Sequence, residues 1–231
     1  MKILAIESSG RCASAAYLSD GLIKAEYTLD TGLTHSETLL PLTDKLLKAA
    51  GAEVPEVIAV SAGPGSFTGL RIGAAMVKGL ADGWKAGVIP VPTLEALAYR
   101  YYGYDGLICP IMDARRGQVY GGVYRFEGEM GLRSVKEGGA YELKELVAFI
   151  NGLGEKTVFL GDGTDRYEEL LKEEVKISYS IAPAHKRYQS AACVAVYADE
   201  AGDKAVIPAA AFVPEYMRKS QAERERAKKD G

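Results

Sequence analysis

Two stretches of this chain run through the same succession of hydrophobic patterns, and that repetition restricts the fold more than any single motif. Residues 2–7, 13–18 and 22–29 read as three short strands, with turns at Gly10 and Asp20-Gly21. A helix follows over 36–50, with Ser36 as its cap, Gly51 as its stop and Pro41 near its start, where proline is tolerated. Then come a strand at 56–61, a helix at 66–82, a strand at 87–91 and a helix at 93–103. From residue 107 the order returns: strands 107–113, 117–126 and 131–136, a helix 142–152, an extended stretch 157–161, a helix 164–172, an extended stretch 176–180 and a helix 190–201. Each half therefore reads βββαβαβα. The halves share little sequence, so the repeat is one of architecture. It predicts a duplicated α/β fold of two lobes with a cleft between them, joined near Gly103–Gly106 and divided as 1–105 and 106–231.

The most distinctive local stretch is Val60-Ser61-Ala62-Gly63-Pro64-Gly65-Ser66-Phe67-Thr68-Gly69-Leu70-Arg71-Ile72-Gly73. It leaves an apolar strand and opens a helix. Small residues let the backbone bend there and bring the helix start close to its neighbours. Ser66 suits the N-cap, since its hydroxyl can accept from free amides of the first turn. It is not a nucleotide loop of a common kind. No lysine follows the glycines as a Walker loop requires, and Thr68 stands where the dinucleotide pattern needs a third glycine. The residues alone read as a tight strand-to-helix joint with a close-packed helix behind it.

Both early helices carry surplus apolar surface. In 36–50, Leu39, Leu42 and Leu46 share one face while Leu40 and Leu47 lie on another. In 66–82, Phe67, Leu70, Ala74, Val77 and Leu80 follow helical spacing, and Gly69, Gly73 and Ala74-Ala75 leave a smooth side. A surface helix has one apolar stripe, so two imply burial on both sides, in the core or against a partner.

Chemistry-bearing groups are sparse. The two histidines, His35 and His185, form no metal-ligand spacing; four residues beyond His35 stands Leu39. His35 reads as a hydrogen-bonded surface residue at a helix start. Three cysteines, Cys12, Cys109 and Cys193, are far apart and read as small core residues of a reduced, cytoplasmic protein. Glu7 breaks the first apolar run too early for a signal peptide, and no stretch is apolar enough to span a membrane. With 28 basic against 31 acidic residues, the net charge of −3 makes no case for binding nucleic acid unaided. Glu7-Ser8-Ser9-Gly10, Asp113-Ala114-Arg115-Arg116-Gly117 and Leu160-Gly161-Asp162-Gly163-Thr164 are the turns that would face an interlobe cleft. The tail from Pro214 onward is charged, polar and expected to fray.

Taken together, several stretches resemble one family. They are Ile3-Leu4-Ala5-Ile6-Glu7-Ser8-Ser9; His35-Ser36-Glu37 with Leu39-Leu40-Pro41; the run Gly63 to Gly73; Pro92-Thr93-Leu94-Glu95-Ala96-Leu97-Ala98; Asp113-Ala114-Arg115 with Val119-Tyr120; and Pro214-Glu215-Tyr216-Met217-Arg218. They run in order from end to end and resemble the bacterial TsaB (YeaZ) family. The resemblance implies an actin-like ATPase (ASKHA) fold of two RNase H-like lobes. It implies a part in making threonylcarbamoyladenosine beside the anticodon of tRNA, as the non-catalytic partner that the transferase subunit TsaD needs, with TsaE as the associated ATPase. TsaD carries a pair of histidines four apart on one helix; this chain offers no such pair. The family also implies that the first two helices form a homodimer or, alternatively, bind TsaD, and that tRNA is met through the complex.

These readings give a partner face made of Leu39, Leu42, Leu46, Phe67, Leu70, Gly73, Ala74 and Val77, with no catalytic residue, cofactor or metal. On this reading a charge at Leu70 or Val77 breaks the complex and leaves the monomer folded. The alternative is an independent actin-like ATPase or phosphotransferase using Glu7, Ser9 and Asp113. A metallopeptidase would need ligands the chain lacks.

Overall fold

The computed structural model describes residues 1–115, 117–128 and 131–217. Its first half contains β1 (Ile3–Glu7), β2 (Ala13–Ser19), β3 (Leu22–Leu29), α1 (His35–Ala49), β4 (Val57–Gly63), α2 (Phe67–Trp84), β5 (Gly87–Pro92) and α3 (Thr93–Ala98). Its second half contains β6 (Leu107–Asp113), β7 (Gln118–Phe126), β8 (Leu132–Glu142), α4 (Leu143–Leu153), β9 (Thr157–Leu160), α5 (Gly163–Arg166), α6 (Glu168–Glu174), β10 (Tyr179–Ile181), α7 (Ala184–Arg187) and α8 (Ala191–Ala201).

The strands form two five-stranded sheets, β3-β2-β1-β4-β5 and β8-β7-β6-β9-β10. In the first, β1 pairs antiparallel with β2 and parallel with β4. In the second, β6 pairs antiparallel with β7 and parallel with β9. Strand for strand the two sheets have one topology, so the molecule is a duplicated actin-like α/β fold. The helical stretch expected at 164–172 divides into α5 and α6, and α7 is an addition to the repeat. The strand expected at 131–136 runs on to Glu142. Gly138 and Gly139 interrupt its β pattern in sequence; in the fold, the rings of Tyr124 and Tyr141 lie against them. The helix expected at 93–103 stops at Ala98 and gives way to a single 3-10 turn, Tyr99–Tyr101.

Helix α1 starts one residue earlier than expected and uses Thr34, not Ser36, as its N-cap. The Glu37 carboxylate reaches back to accept from the Thr34 N–H (3.1 Å) and hydroxyl (2.6 Å), which holds its pKa below the usual range. Pro41 therefore lies inside the helix, beyond the first turn. It sits on the solvent side, where the Glu37 carbonyl that loses its helical bond stays open to water.

The last helix of each half packs on the other half. Leu94, Leu97 and Ala98 of α3 join Ile108, Tyr124, Val158 and Leu160 in the second lobe's core. Ala191, Val194, Ala195 and Ala198 of α8 cover the first sheet beside Ile3, Ala5, Leu18 and Val91. Two hydrogen bonds tie this crossing, Tyr99 Oη–H to Glu200 (2.7 Å) and Tyr197 Oη–H to Glu95 (2.6 Å). After α8 the chain stays with the first lobe: Ile207 bridges Val88, Phe212 is buried in its core, and the Glu215 N–H donates to the Ala62 carbonyl (2.7 Å). The two sheets are separated by the segment between Pro92 and Leu107, and residues 191–217 pack on the first lobe although they belong to the second half of the chain.

Candidate interaction surface

Helix α2 organises the first lobe's working end. Ser66 caps it, accepting from the Gly69 N–H at 3.2 Å, and the Ser66 N–H donates to the Ser9 carbonyl at 2.7 Å. Gly65, Gly69 and Gly73 follow at spacings of four and face the Ser8-Ser9 turn. A Cβ at Gly65 would overlap the Ser9 carbonyl, at Gly69 the Ser8 carbonyl, and at Gly73 the Ser8 hydroxyl. The Ser8 hydroxyl donates to the Gly69 carbonyl at 2.9 Å. The glycines of the distinctive run therefore serve a close approach of the helix to its own lobe. The smooth side expected to meet a partner at Gly69 and Gly73 faces inward.

Below this joint lies Glu7, 1% exposed. One carboxylate oxygen accepts from the Ser9 N–H (2.6 Å) and hydroxyl (2.5 Å); the other accepts from the Ser61 hydroxyl. Burial pushes its pKa above the usual carboxylate range, and these donors hold the rise back. His35 is half-buried against Gly69, and its Nε2 lies 3.0 Å from the Gly10 carbonyl, so it is a packing residue rather than a surface one. The Gln189 amide lies flat over Gly10. Arg11 leaves the same turn to pair with Asp30 (2.7 Å), approach Asp165 of the second lobe (4.0 Å) and lie over the Tyr188 ring (5.4 Å). Arg187 and the Tyr188 hydroxyl also bind Asp165, at 2.8 and 2.5 Å.

Across the cleft, Asp113 ends β6. It accepts from the Arg115 N–H (2.8 Å) and pairs with Arg166 (3.4 Å). Asp162 is half-buried and accepts from the Asp113 N–H at 3.2 Å; its desolvation raises its pKa and this bond opposes the rise. Glu7, Ser9 and Asp113, the trio of the ATPase alternative, are thus each engaged within their own lobe. Among the described residues no three His, Cys, Asp or Glu side chains are grouped as a metal site would need.

The eight residues expected to form the partner face fall mostly elsewhere. Leu39, Leu42, Leu46, Ala74 and Val77 pack with Leu4, Ile6, Ile58 and Val60 in the first lobe's core. Leu70 is 2% exposed and Gly73 is buried on Ser8. Phe67 alone keeps part of its surface open. A charge at Leu70 or Val77 would enter this core and unfold the lobe, which corrects the expectation of a folded monomer.

The outward faces of the same two helices carry other residues. Leu40 of α1 is 53% exposed. On α2, Ala75, Gly79 and Gly83 are exposed at spacings of four, and a Cβ at Gly79 or Gly83 would meet nothing within 4 Å. Ile72, Met76 and Leu80 flank them, half-buried. On the strap after α8, Val213 is 69% exposed and Tyr216, whose ring meets that of Phe67 on α2, is 37% exposed. Sequence periodicity marked α2 as doubly faced and named Gly69, Gly73, Ala74 and Ala75 as its smooth side, without the outward Gly79 and Gly83. Arg116 of the β6–β7 turn and the charged tail from Arg218 lie outside the described residues. No helix among the described residues is long and apolar enough to cross a membrane.

The chain was compared with known proteins. The family model described as TsaD, tRNA N6-adenosine threonylcarbamoyltransferase, matches residues 30–226. The tRNA threonylcarbamoyladenosine biosynthesis protein TsaB of Bacillus subtilis is 31% identical over 225 residues, covering 96% of this chain and 96% of that protein. The TsaB of Escherichia coli is 32% identical over 178 residues, 75% of this chain and 76% of that protein. Among solved structures, YeaZ from Pseudomonas aeruginosa superposes with a TM-score of 0.75 at 24% identity, over 93% of this chain and 99% of that one, which establishes a shared fold.

Proposed function

The chain belongs to the TsaB (YeaZ) family of tRNA threonylcarbamoyladenosine biosynthesis proteins, and we propose that within this pathway it is the non-catalytic subunit that binds and activates a TsaD transferase. The observation that carries the reading is the exposed row Ala75, Gly79 and Gly83 on α2, together with exposed Leu40 on α1. The inward glycines are accounted for by Ser8 and Ser9. The outward ones have no such neighbour, and small residues at this spacing let a second helix approach closely. The partner face is thus the first two helices, as the family resemblance implies, through their outer residues.

The non-catalytic assignment is supported by how the cleft-facing groups are engaged. Both Glu7 oxygens accept from neighbouring serines, α2 and Gln189 cover the β1–β2 turn, and Arg11 bridges toward Asp165. A single α1–α2 face serves one partner at a time, so a homodimer of this chain competes with the TsaD complex. TsaE joins as the ATPase of the assembly, and tRNA is held by the assembly rather than by this chain alone, whose net charge is −3.

Titration calorimetry with purified TsaD tests the face. Gly79→Arg and Leu40→Asp should abolish or strongly weaken binding while the chain stays folded, Gly79→Arg melting no lower than the parent because arginine replaces a helix-interior glycine. Full affinity in both variants would place the partner elsewhere.

A further inference from the structure

At the amino end of α2 a cation is held in position by aromatic rings, with no ion pair among the described residues. The Arg71 guanidinium carbon lies 4.0 Å from the Phe67 ring centroid and 5.8 Å from that of Tyr216. The two rings are 4.9 Å apart and inclined at 45°. Phe67 and Arg71 are one helical turn apart, so α2 stacks them by itself. Tyr216 arrives on the strap, anchored by buried Phe212 and by the Glu215 N–H bond to Ala62. Arg71 is exposed, and among the described residues it has neither an ion pair nor a hydrogen bond.

Stacking on rings fixes the plane of a guanidinium and leaves the donors on its edge free. Those donors match a carboxylate in paired fashion, with little further ordering needed on contact. The clamp stands on α2 next in sequence to half-buried Ile72, and exposed Val213 lies on the same strap as Tyr216. Arginine and aromatic residues such as tyrosine are enriched among the anchors of protein interfaces.

We infer that Phe67, Arg71 and Tyr216 anchor the partner face, with Arg71 receiving a carboxylate of the partner protein. The inference rests on the α1–α2 face being the partner site, and it adds the residue and the chemistry that select the partner. A carboxylate is favoured over a nucleic-acid phosphate because a phosphate track needs a row of free cations. Among the described residues the next cation on this side of α2 is Lys78, about 10 Å along the helix, and the strap carries acidic Glu215 next to Tyr216 in sequence.

The test is calorimetry of the full chain with TsaD, for the unaltered protein and for Arg71→Ala, Arg71→Lys and Arg71→Glu. Both Ala and Lys variants should bind more than about tenfold more weakly, because lysine keeps the charge and loses the planar fork. The exposed position should leave melting temperatures unchanged. Arg71→Glu should regain affinity when one acidic residue of TsaD is changed to arginine. Unaltered affinity in Arg71→Ala, with the parent chain binding normally, overturns the inference and leaves the partner face standing. No binding by the parent chain removes the partner face and this inference with it. Loss of tRNA retention in Arg71→Ala, with TsaD affinity intact, assigns the anchor to phosphate and overturns the inference as well.

Discussion

Replacing Gly69 and Gly79 by alanine, one at a time, separates the two faces of α2. A Cβ at Gly69 would overlap the Ser8 carbonyl and come 3.1 Å from the His35 ring. That carbonyl belongs to a turn pinned by the Ser66 N–H on Ser9 (2.7 Å) and the Ser9 N–H on Glu7 (2.6 Å), so relief means breaking a contact. Overpacking costs about 1–3 kcal/mol, and losing the Ser8 hydroxyl bond to Gly69 adds about 1 kcal/mol. Alanine returns about 1 kcal/mol through helix propensity. The net loss is about 1–3 kcal/mol, and at about 2–4 °C per kcal/mol for a chain of this size the melting temperature falls by roughly 2–12 °C. At Gly79 only the propensity gain remains, so alanine there raises the melting temperature by about 2–4 °C. Differential scanning calorimetry of the two variants beside the parent reads both signs. A Gly69→Ala protein as stable as the parent would refute the packing argument.

Glu7 gives stability a pH signature. Burial raises its folded-state pKa above the ordinary carboxylate value, so the folded protein holds this proton more tightly than the unfolded chain does. Its contribution is therefore fully present below the unfolded pKa and is lost as pH rises through the folded one. Glu7→Gln should remove that downward slope in urea unfolding measured at successive pH values; an unchanged slope would assign the pH dependence to other groups. Leu39→Ala should destabilise the chain by about 2–5 kcal/mol, since Leu39 is 1% exposed; a stable variant with impaired TsaD binding would return Leu39 to the interface. Tyr99→Phe and Tyr197→Phe together should cost about 1 kcal/mol each by removing the bonds between α3, its following turn and α8. Thermal melts that do not move would show that the crossing is held by packing alone.

Much of the architecture is legible in the residues because each element is locally consistent. The strand pattern of 22–29 and 107–113 coincides with β3 and β6, and Ser66 caps α2 as its chemistry suggests. What is hidden depends on contacts distant in sequence. Apolar periodicity shows that Leu39, Leu42, Leu46, Leu70 and Val77 need cover, but not whether the cover is the chain's own sheet or another protein. The rows Gly69-Gly73 and Ala75-Gly79-Gly83 look alike as small residues at a spacing of four. Only the position of Ser8 distinguishes them. The exchange of α3 and α8 between lobes, and the meeting of Tyr216 with Phe67 and Arg71, leave no local signal in either segment.

The most direct test of the central claim is transfer of labelled threonine to unmodified tRNA by the other purified components of the pathway. The assay is run with and without this chain. The account predicts that TsaD and its companions transfer little alone and regain transfer when the chain is added. It further predicts that Gly79→Arg fails to restore transfer while Glu7→Gln succeeds. Transfer that proceeds equally without the chain, or that is lost with Glu7→Gln while this variant still binds TsaD, would contradict a non-catalytic subunit acting through its outer helices.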